Sequence, residues 1–518
     1  MAGPRGWSPA LLALTLLAGA PAAPAAADAG EGGVRLATER LEVVLALDGG
    51  RPVSWRACRP TCRAADAGSG VSLPFAAPGD ETPFPRFVLD GPRGPIDPGR
   101  LRFAPDPTGA GPTRQATLRS GLPVDGVGIE ESLALSPDGY ETVLTVRLVG
   151  PGAPAFAAAT RATLELGTGR SLEPPPAAGF GALLERVGRV VVAGGAVRAP
   201  GDAPGDAVAL GPGQWAGVRG RFWALLARPD GGGAVAEPRP GAALALRSSP
   251  ATGATEWRYT LYTGPLERDA LARADPELER LLLSGLWWWL RALALGLLRL
   301  LRGLTALLGH PGVAIVALAV SVKVLLLPLA ALAERLQEQV DATQARLQPG
   351  LDAINAAHRG EERTRRTLAL YREEGVHPLY TLKSLAGVLI QIPVFIAVFD
   401  MLAEDVDLYR VPLLWIRDLS RPDAVAALPA CVPFFGCEVN LLPFLMSGVS
   451  LATLLRFRSP VLTPALVRRQ RRNLAGMTLL FFVLFYTFPA GMVLYWTSTN
   501  AFQLLSQEAT RWWRRGAA

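Results

Sequence analysis

Apolar residues mark every second position over long stretches of the first half of the chain. Leu41, Val43, Leu45 and Leu47 lead into the turn signal Asp48-Gly49-Gly50, and Tyr140, Thr142, Leu144, Val146 and Leu148 do the same before Gly150. A period of two sets one face of an extended strand against a core. Runs of this kind, punctuated by Gly and Pro and showing little helical periodicity, continue from Gly33 to about Gly264 and predict an all-β sandwich.

Beyond Gly264 the period becomes helical. Trp287, Trp288 and Trp289 open a helix in which Leu293, Leu297, Leu300, Leu301 and Leu304 are interleaved with Arg291, Arg299 and Arg302. That stripe suits an amphipathic helix at a membrane interface better than a span, the other reading being a packed helix of the β domain. After the break Gly309-His310-Pro311-Gly312, residues 314–332 form an apolar run of membrane-spanning length holding one charge, Lys323, with Pro328 close behind. Two polar helical stretches, 334–347 and 361–374, are broken near His358-Arg359-Gly360 and predict a helical hairpin. Further apolar segments follow at 385–402, which contains Gln391 and Pro393, and at 441–455, before a basic loop at 456–472. The last two, 474–488 and 491–505, are separated only by Pro489-Ala490.

The first residues add an export signal. Arg5, an apolar stretch at 10–20 and Ala25-Ala26-Ala27 read as a cleaved signal peptide, with a retained transmembrane segment as the alternative. The domains expected are thus a leader at 1–27, a β domain at 28–282, an amphipathic helix at 283–310, a helical core at 311–506 with its hairpin at 333–383, and a basic tail at 507–518.

Composition decides where these parts lie. Half of the 518 residues are hydrophobic, which favours a partly membrane-embedded chain over a soluble one. The net charge of +7 and pI near 9.6 could point to nucleic acid, but the arginines cluster beside apolar segments, as at Arg468, Arg469, Arg471 and Arg472. The positive-inside rule accounts for that clustering and predicts no specific nucleic-acid partner. Placing the hairpin, the basic loop and the tail with Arg511, Arg514 and Arg515 in the cytoplasm puts the β domain and both cysteine pairs outside. There Cys58 with Cys62 and Cys431 with Cys437 are disulfide candidates, four unpaired thiols being the alternative. No histidine lies near either pair, so a zinc site is not expected, and no cofactor motif occurs. The histidines, His310, His358 and His377, all fall outside the β domain, which argues for a binding or scaffolding module over an enzyme.

Two of the 52 basic residues are lysines, Lys323 and Lys383. An ammonium inside a span costs roughly 2.5 kcal/mol or more unless it faces protein or water, so Lys323 is the first functional candidate. Snorkelling to the headgroups is its bland alternative, although residues 328–332 continue the apolar run beyond it. Trp496, Asn500 and Gln503, spaced i, i+4 and i+7, share one helix face and, with Gln391, complete a polar lining. Interhelical packing is their structural alternative. A channel or ion-coupled transporter using Lys323 would want acidic partners within the spans, and only Asp400, near one end, offers one.

Several motifs in order bring a family into view. They are Leu347-Gln348-Pro349, Ala369-Leu370-Tyr371 with His377-Pro378-Leu379, the run from Leu389 to Phe395, the loop from Leu414 to Ser420, and the junction from Phe488 to Trp496 ending at Ser498-Thr499-Asn500. With these the chain resembles the YidC membrane-protein insertases of the YidC/Oxa/Alb superfamily, in the Gram-negative form with a large periplasmic domain. The β region is similar in kind to that family's periplasmic supersandwich, most of all at Gln214-Trp215 and Arg221-Phe222-Trp223. The resemblance implies a periplasmic β-sandwich followed by a polytopic, five-helix inner-membrane bundle with a cytoplasmic hairpin. It further implies insertion and folding of nascent membrane proteins, alone or beside the Sec translocon, with weak ribosome and lipid contacts, without a cofactor and as a monomer. By the same resemblance Lys323 stands where the family usually carries Arg, and Pro393, Phe395, Phe481 and Phe485 line the path along which an arriving apolar segment slides into lipid.

Overall fold

The structure, a computed structural model, describes residues 33–516 apart from 69, 77–83, 106–113, 123, 125, 168–177, 186, 202–205, 232, 241, 251–252, 378–385 and 457–463. The leader at 1–27 and Lys383 lie outside the described residues, as do the side chains of Arg511, Arg514 and Arg515.

Among the described residues the first half folds into antiparallel sheets of nine, six and four strands. At the centre of the largest, Glu256–Pro265 pairs with Glu141–Val149 on one side and with Trp223–Pro229 on the other. In the six-stranded sheet Arg161–Leu166 lies between Arg86–Gly91 and Leu244–Ser248. The smallest runs in chain order through Val34–Ala37, Leu41–Leu45, Pro52–Arg59 and Val71–Ala76. All three close on one apolar core holding Trp55, Phe75, Leu144, Leu164, Trp215 and Leu246.

Strand Glu141–Val149 follows its sequence pattern, with Thr142, Leu144, Val146 and Leu148 buried and the residues between them part-exposed. Strand Leu41–Leu45 does not, because all five of its residues are buried. The cross-strand register explains the difference: Glu42 faces Arg56 and pairs with it and with Arg35, so a carboxylate that alternation would send to solvent is covered by its own counter-ions.

Glu131, part-exposed in strand Gly128–Leu135, has no such partner among the described residues. Its carboxyl lies under the Gly49-Gly50 turn beside Phe103, where burial pushes it from the usual carboxylate range up to about 8. The folded chain therefore keeps a proton that the unfolded chain has lost, and stability falls as pH rises from the ordinary carboxylate range through about 8. Thermal unfolding of the detergent-solubilised protein followed by tryptophan fluorescence should show Tm dropping by about 3 °C or more across that window. Glu131→Gln should remove the drop, and an unchanged pH profile in that variant would show that the carboxyl is not its source.

Three short helices decorate the β half: α1 (Cys62–Asp66), α2 (Ala153–Ala158) and α3 (Arg268–Ala274). The second half is helical, with α4 (Trp288–Leu308), α5 (Pro311–Ala357), α6 (Gly360–Glu373), α7 (Ala386–Glu404), α8 (Leu442–Arg456), α9 (Pro464–Phe485) and α10 (Ala490–Gly516). Ala294, Leu297 and Leu301 of α4, Leu318 and Ala319 of α5, Val398 and Leu402 of α7, Met446 of α8 and Val493 of α10 share a second apolar core.

α5 starts on a His310 cap whose Nδ1 accepts the Gly312 N–H at 3.0 Å, with Pro311 at the first helical position. It then runs unbroken through Lys323 and through the polar residues that the sequence pattern sets apart as a hairpin arm. Hydropathy changes near Glu334, but the residues there are strong helix formers, and the helix continues past both Pro328 and Pro349, each of which removes one bond of its ladder, to His358. α5 alone among the described helices is long and apolar enough to cross a membrane, and α8 is a shorter apolar helix. The expected basic loop at 456–472 is helical from Pro464 onward, and α10 takes in the expected basic tail as far as Gly516. Arginine favours helix, so charge marked these stretches without breaking them.

Arginines from the β half grip the end of α7 and the loop after it. Arg221 donates Nε to the Ala403 carbonyl at 2.6 Å and Nη1 to Glu185 at 2.6 Å and to the Ser420 carbonyl at 2.9 Å. Its side chain is 4% exposed, and this burial lowers the guanidinium from its usual value. Arg219 reaches Glu404 at 2.7 Å, whose other oxygen accepts the Leu283 N–H at 3.0 Å. Arg59 joins Glu267 at 2.8 Å to Asp407, which also takes Arg302 of α4 at 3.4 Å. Burial works to lower Arg59, but the two carboxylates outweigh it and hold the group above its ordinary value.

Candidate functional site

Lys323 lies on α5 against α10, half-buried, and its Nζ donates to Gln503 Oε1 at 3.3 Å. Its partner is a neutral amide, and among the described residues no carboxylate lies within ion-pair distance of it. Around it the helix is apolar. Ala319, one turn earlier, and Val322 are buried, while Val324, Leu325 and Leu327 on the far side are exposed.

The polar face expected on α10 is divided among different neighbours. Gln503 meets Lys323, Asn500 donates Nδ2 to Ser450 Oγ of α8 at 3.1 Å, and Trp496 turns into a cluster of rings. Gln391 of α7 is half-buried and makes no hydrogen bond among the described residues. The spacing i, i+4, i+7 does place the three side chains on one face, but seven residues of helix rise about 10 Å, so each meets a different layer of the bundle. Ser450 was missed, because a lone serine in an apolar segment carries no periodic signal.

Trp496 packs against Phe395 of α7 and Phe481 of α9, both at 5.2 Å between ring centroids, and against Phe485 at 5.8 Å. Phe481 and Phe485 stack at 5.6 Å, and Phe399 joins the same group. Phe395, Phe481 and Pro393 are half-buried, whereas Phe485 is fully buried and forms the centre of the cluster. The outward apolar positions beside them, Leu389 and Ile392 on α7 and Met477, Leu479 and Leu480 on α9, are the ones that reading aromatic residues alone passes over.

The turn at Pro489 is held from two sides. The first amides of α10, on Ala490 and Gly491, donate to the carbonyls of Arg421 and Leu419 at 2.7 and 2.8 Å, which pairs N–H groups that a helix start leaves free. Cys431 and Cys437 form a disulfide across the hairpin Ala426–Val432 and Gly436–Val439. Phe435 beside it packs on Tyr486 at 5.1 Å, and Phe434 on Phe180 of the β half at 5.1 Å. Gly181 donates its N–H to Thr487 at 3.1 Å, and a Cβ there would strike the Thr487 carbonyl. The other disulfide, Cys58–Cys62, ties α1 to strand Pro52–Arg59. No group of metal ligands occurs among the described residues.

These features define a class: a large antiparallel β domain fixed by arginines to an apolar helical core that carries, among the described residues, one amide-held ammonium. Residues 303–514 match the family described as 60Kd inner membrane protein. The resemblance to the YidC membrane-protein insertases is borne out by relatives carrying that name. A protein of Ralstonia nicotianae named membrane protein insertase YidC is 35% identical over 250 residues, 48% of this chain and 40% of its own length. A protein of the same name from Pseudomonas paraeruginosa is 31% identical over 297 residues, 57% of this chain and 46% of its own. The matches thus span less than half the length of these relatives. A solved structure of an active YidC insertase aligns over 92% of both chains at 16% identity and a TM-score of 0.35, too loose an alignment to bear on the fold.

Proposed function

We propose that this chain is a membrane-protein insertase of the inner membrane, and the observation that carries the proposal is the Lys323 ammonium held by Gln503 between α5 and α10. A polar segment crossing a bilayer faces several kcal/mol for each charge it carries. A half-buried cation whose only partner among the described residues is an amide is free to meet an acidic tail or a backbone carbonyl on the way, and so lowers that cost. Asn500 and Gln391 extend the polar lining. The half-buried rings of Phe395 and Phe481, with Pro393, give the apolar part of the passenger a route to lipid, and Phe485 joins that route only when the ring cluster opens.

In this reading the protein is multi-pass, with the β domain and both disulfides in the periplasm. The distal part of α5 and α6 form a cytoplasmic hairpin, closed by the Arg346–Glu374 ion pair at 3.4 Å, that receives nascent chains from the ribosome. The arginines at 468–472 support that orientation. Cooperation with the Sec translocon and contact with lipids are part of the proposal, as is action as a monomer and without chemistry of its own.

Photocrosslinkers placed at 323, 481 and 325 test it against a stalled nascent membrane protein. Positions 323 and 481 should capture the chain, and 325, on the outward side of α5, should not. Capture from 325 alone would refute the route.

A further inference from the structure

A cleft of about 590 Å³ lies in the β half, between the end of strand Pro52–Arg59, Tyr140 and α3. Three guanidinium groups border it, from Arg40, Arg59 and Arg273, together with the carboxylates of Glu267 and Asp269. They are not equivalent. Arg59 is already neutralised, since it is paired with Glu267 and with Asp407 outside the cleft. Arg40 lies over the Tyr140 ring, 5.5 Å from its centroid, and Arg273 spends its Nε on the Asp269 carbonyl at 3.0 Å. Among the described residues neither Arg40 nor Arg273 has a carboxylate within ion-pair distance.

The floor of the cleft is rigid. Tyr140 is buried and donates its hydroxyl to the Cys58 carbonyl at 2.9 Å, and Cys58 is locked to Cys62. With Arg59 and Glu267 cancelling, two cations stand against the single carboxylate of Asp269. We propose that this cleft binds a phosphodiester monoanion, whose single charge matches that excess and whose two free oxygens suit two guanidinium forks. Asp407, the far partner of Arg59, also holds Arg302 of α4, so the wall of the cleft that carries Arg59 is tied to the amphipathic helix. A phosphodiester available at that level is the headgroup of an anionic phospholipid. The lipid source rests on the membrane placement proposed above; the phosphodiester chemistry does not.

Native mass spectrometry of the full chain released from detergent, titrated with phosphatidylglycerol, phosphatidylcholine or inorganic phosphate, tests this without reading insertion. A failure here therefore leaves the insertase proposal untouched. The wild type should retain one phosphatidylglycerol more than the variant carrying Arg40→Gln and Arg273→Gln, with no such difference for phosphatidylcholine, whose quaternary ammonium cancels the charge of its own phosphodiester and leaves nothing for the excess cation of the cleft to neutralise. Arg40→Lys with Arg273→Lys, which keeps the charge but not the forks, should recover part of that binding and guards against a misfolded glutamine variant. A difference seen with inorganic phosphate alone would overturn the lipid as ligand, and identical binding by wild type and glutamine variant in every titration would overturn the site.

Discussion

Lys323→Ala is expected to lower insertion of single-span substrates with acidic tails by about tenfold, which is about 1.4 kcal/mol of lost stabilisation at the crossing step. The argument is geometric. The ammonium is half-buried on an apolar helix and its partner, Gln503, is neutral, so its charge is not spent inside the protein. Lys323→Arg keeps the charge and should keep most of the activity. Gln503→Ala removes the amide acceptor but leaves the charge, and should cost less than the alanine variant at 323. Protease protection of a reporter substrate, in cells depleted of their own insertase, reads all three. Insertion by Lys323→Ala at the wild-type level would take the charge out of the mechanism.

The other large effect lies at the junction of the two halves. Arg221→Met should destabilise the segment from Ala403 to Ser420 by about 1–3 kcal/mol, the usual cost of leaving buried hydrogen-bonding groups without their partner. The substitution leaves Glu185 without its cation and two carbonyls, of Ala403 and Ser420, without this donor. Hydrogen exchange at residues 403–420 in the detergent-solubilised protein measures it locally. Adding Glu185→Gln should restore part of the protection, because the stranded carboxylate is then gone. If exchange in the single variant matched wild type, the halves would be held together by something else.

Reading these features from sequence succeeded where the signal is local. The alternation from Tyr140 to Leu148 needs only a strand with one buried face, and the break at His358-Arg359-Gly360 needs only a residue tolerant of positive φ, which Gly360 adopts at 60°. Strand Leu41–Leu45 shows the opposite case, since nothing within it reveals that Arg56 will cover Glu42. Helix ends were misjudged wherever hydropathy changed without a breaker, as at Glu334 in α5 and before Arg468 in α9. The grip of Arg221 on residues about two hundred positions away has no local trace at all. Lys323 stood out because a charge in an apolar run is rare, but that its companion would be Gln503, with Asn500 turned to Ser450 and Trp496 to the rings, depends on depth along the bundle, which sequence spacing does not encode.

The continuity of α5 has a mechanical side. From Lys323 to Ala357 the helix extends roughly 50 Å as one rod, at about 1.5 Å per residue. Pro328 interrupts its ladder by leaving the carbonyl of Val324, the residue after Lys323, without a helical donor. A load applied to the distal arm therefore meets a weakened point in the ladder about one turn from the ammonium, and bending there needs no melting of the arm itself.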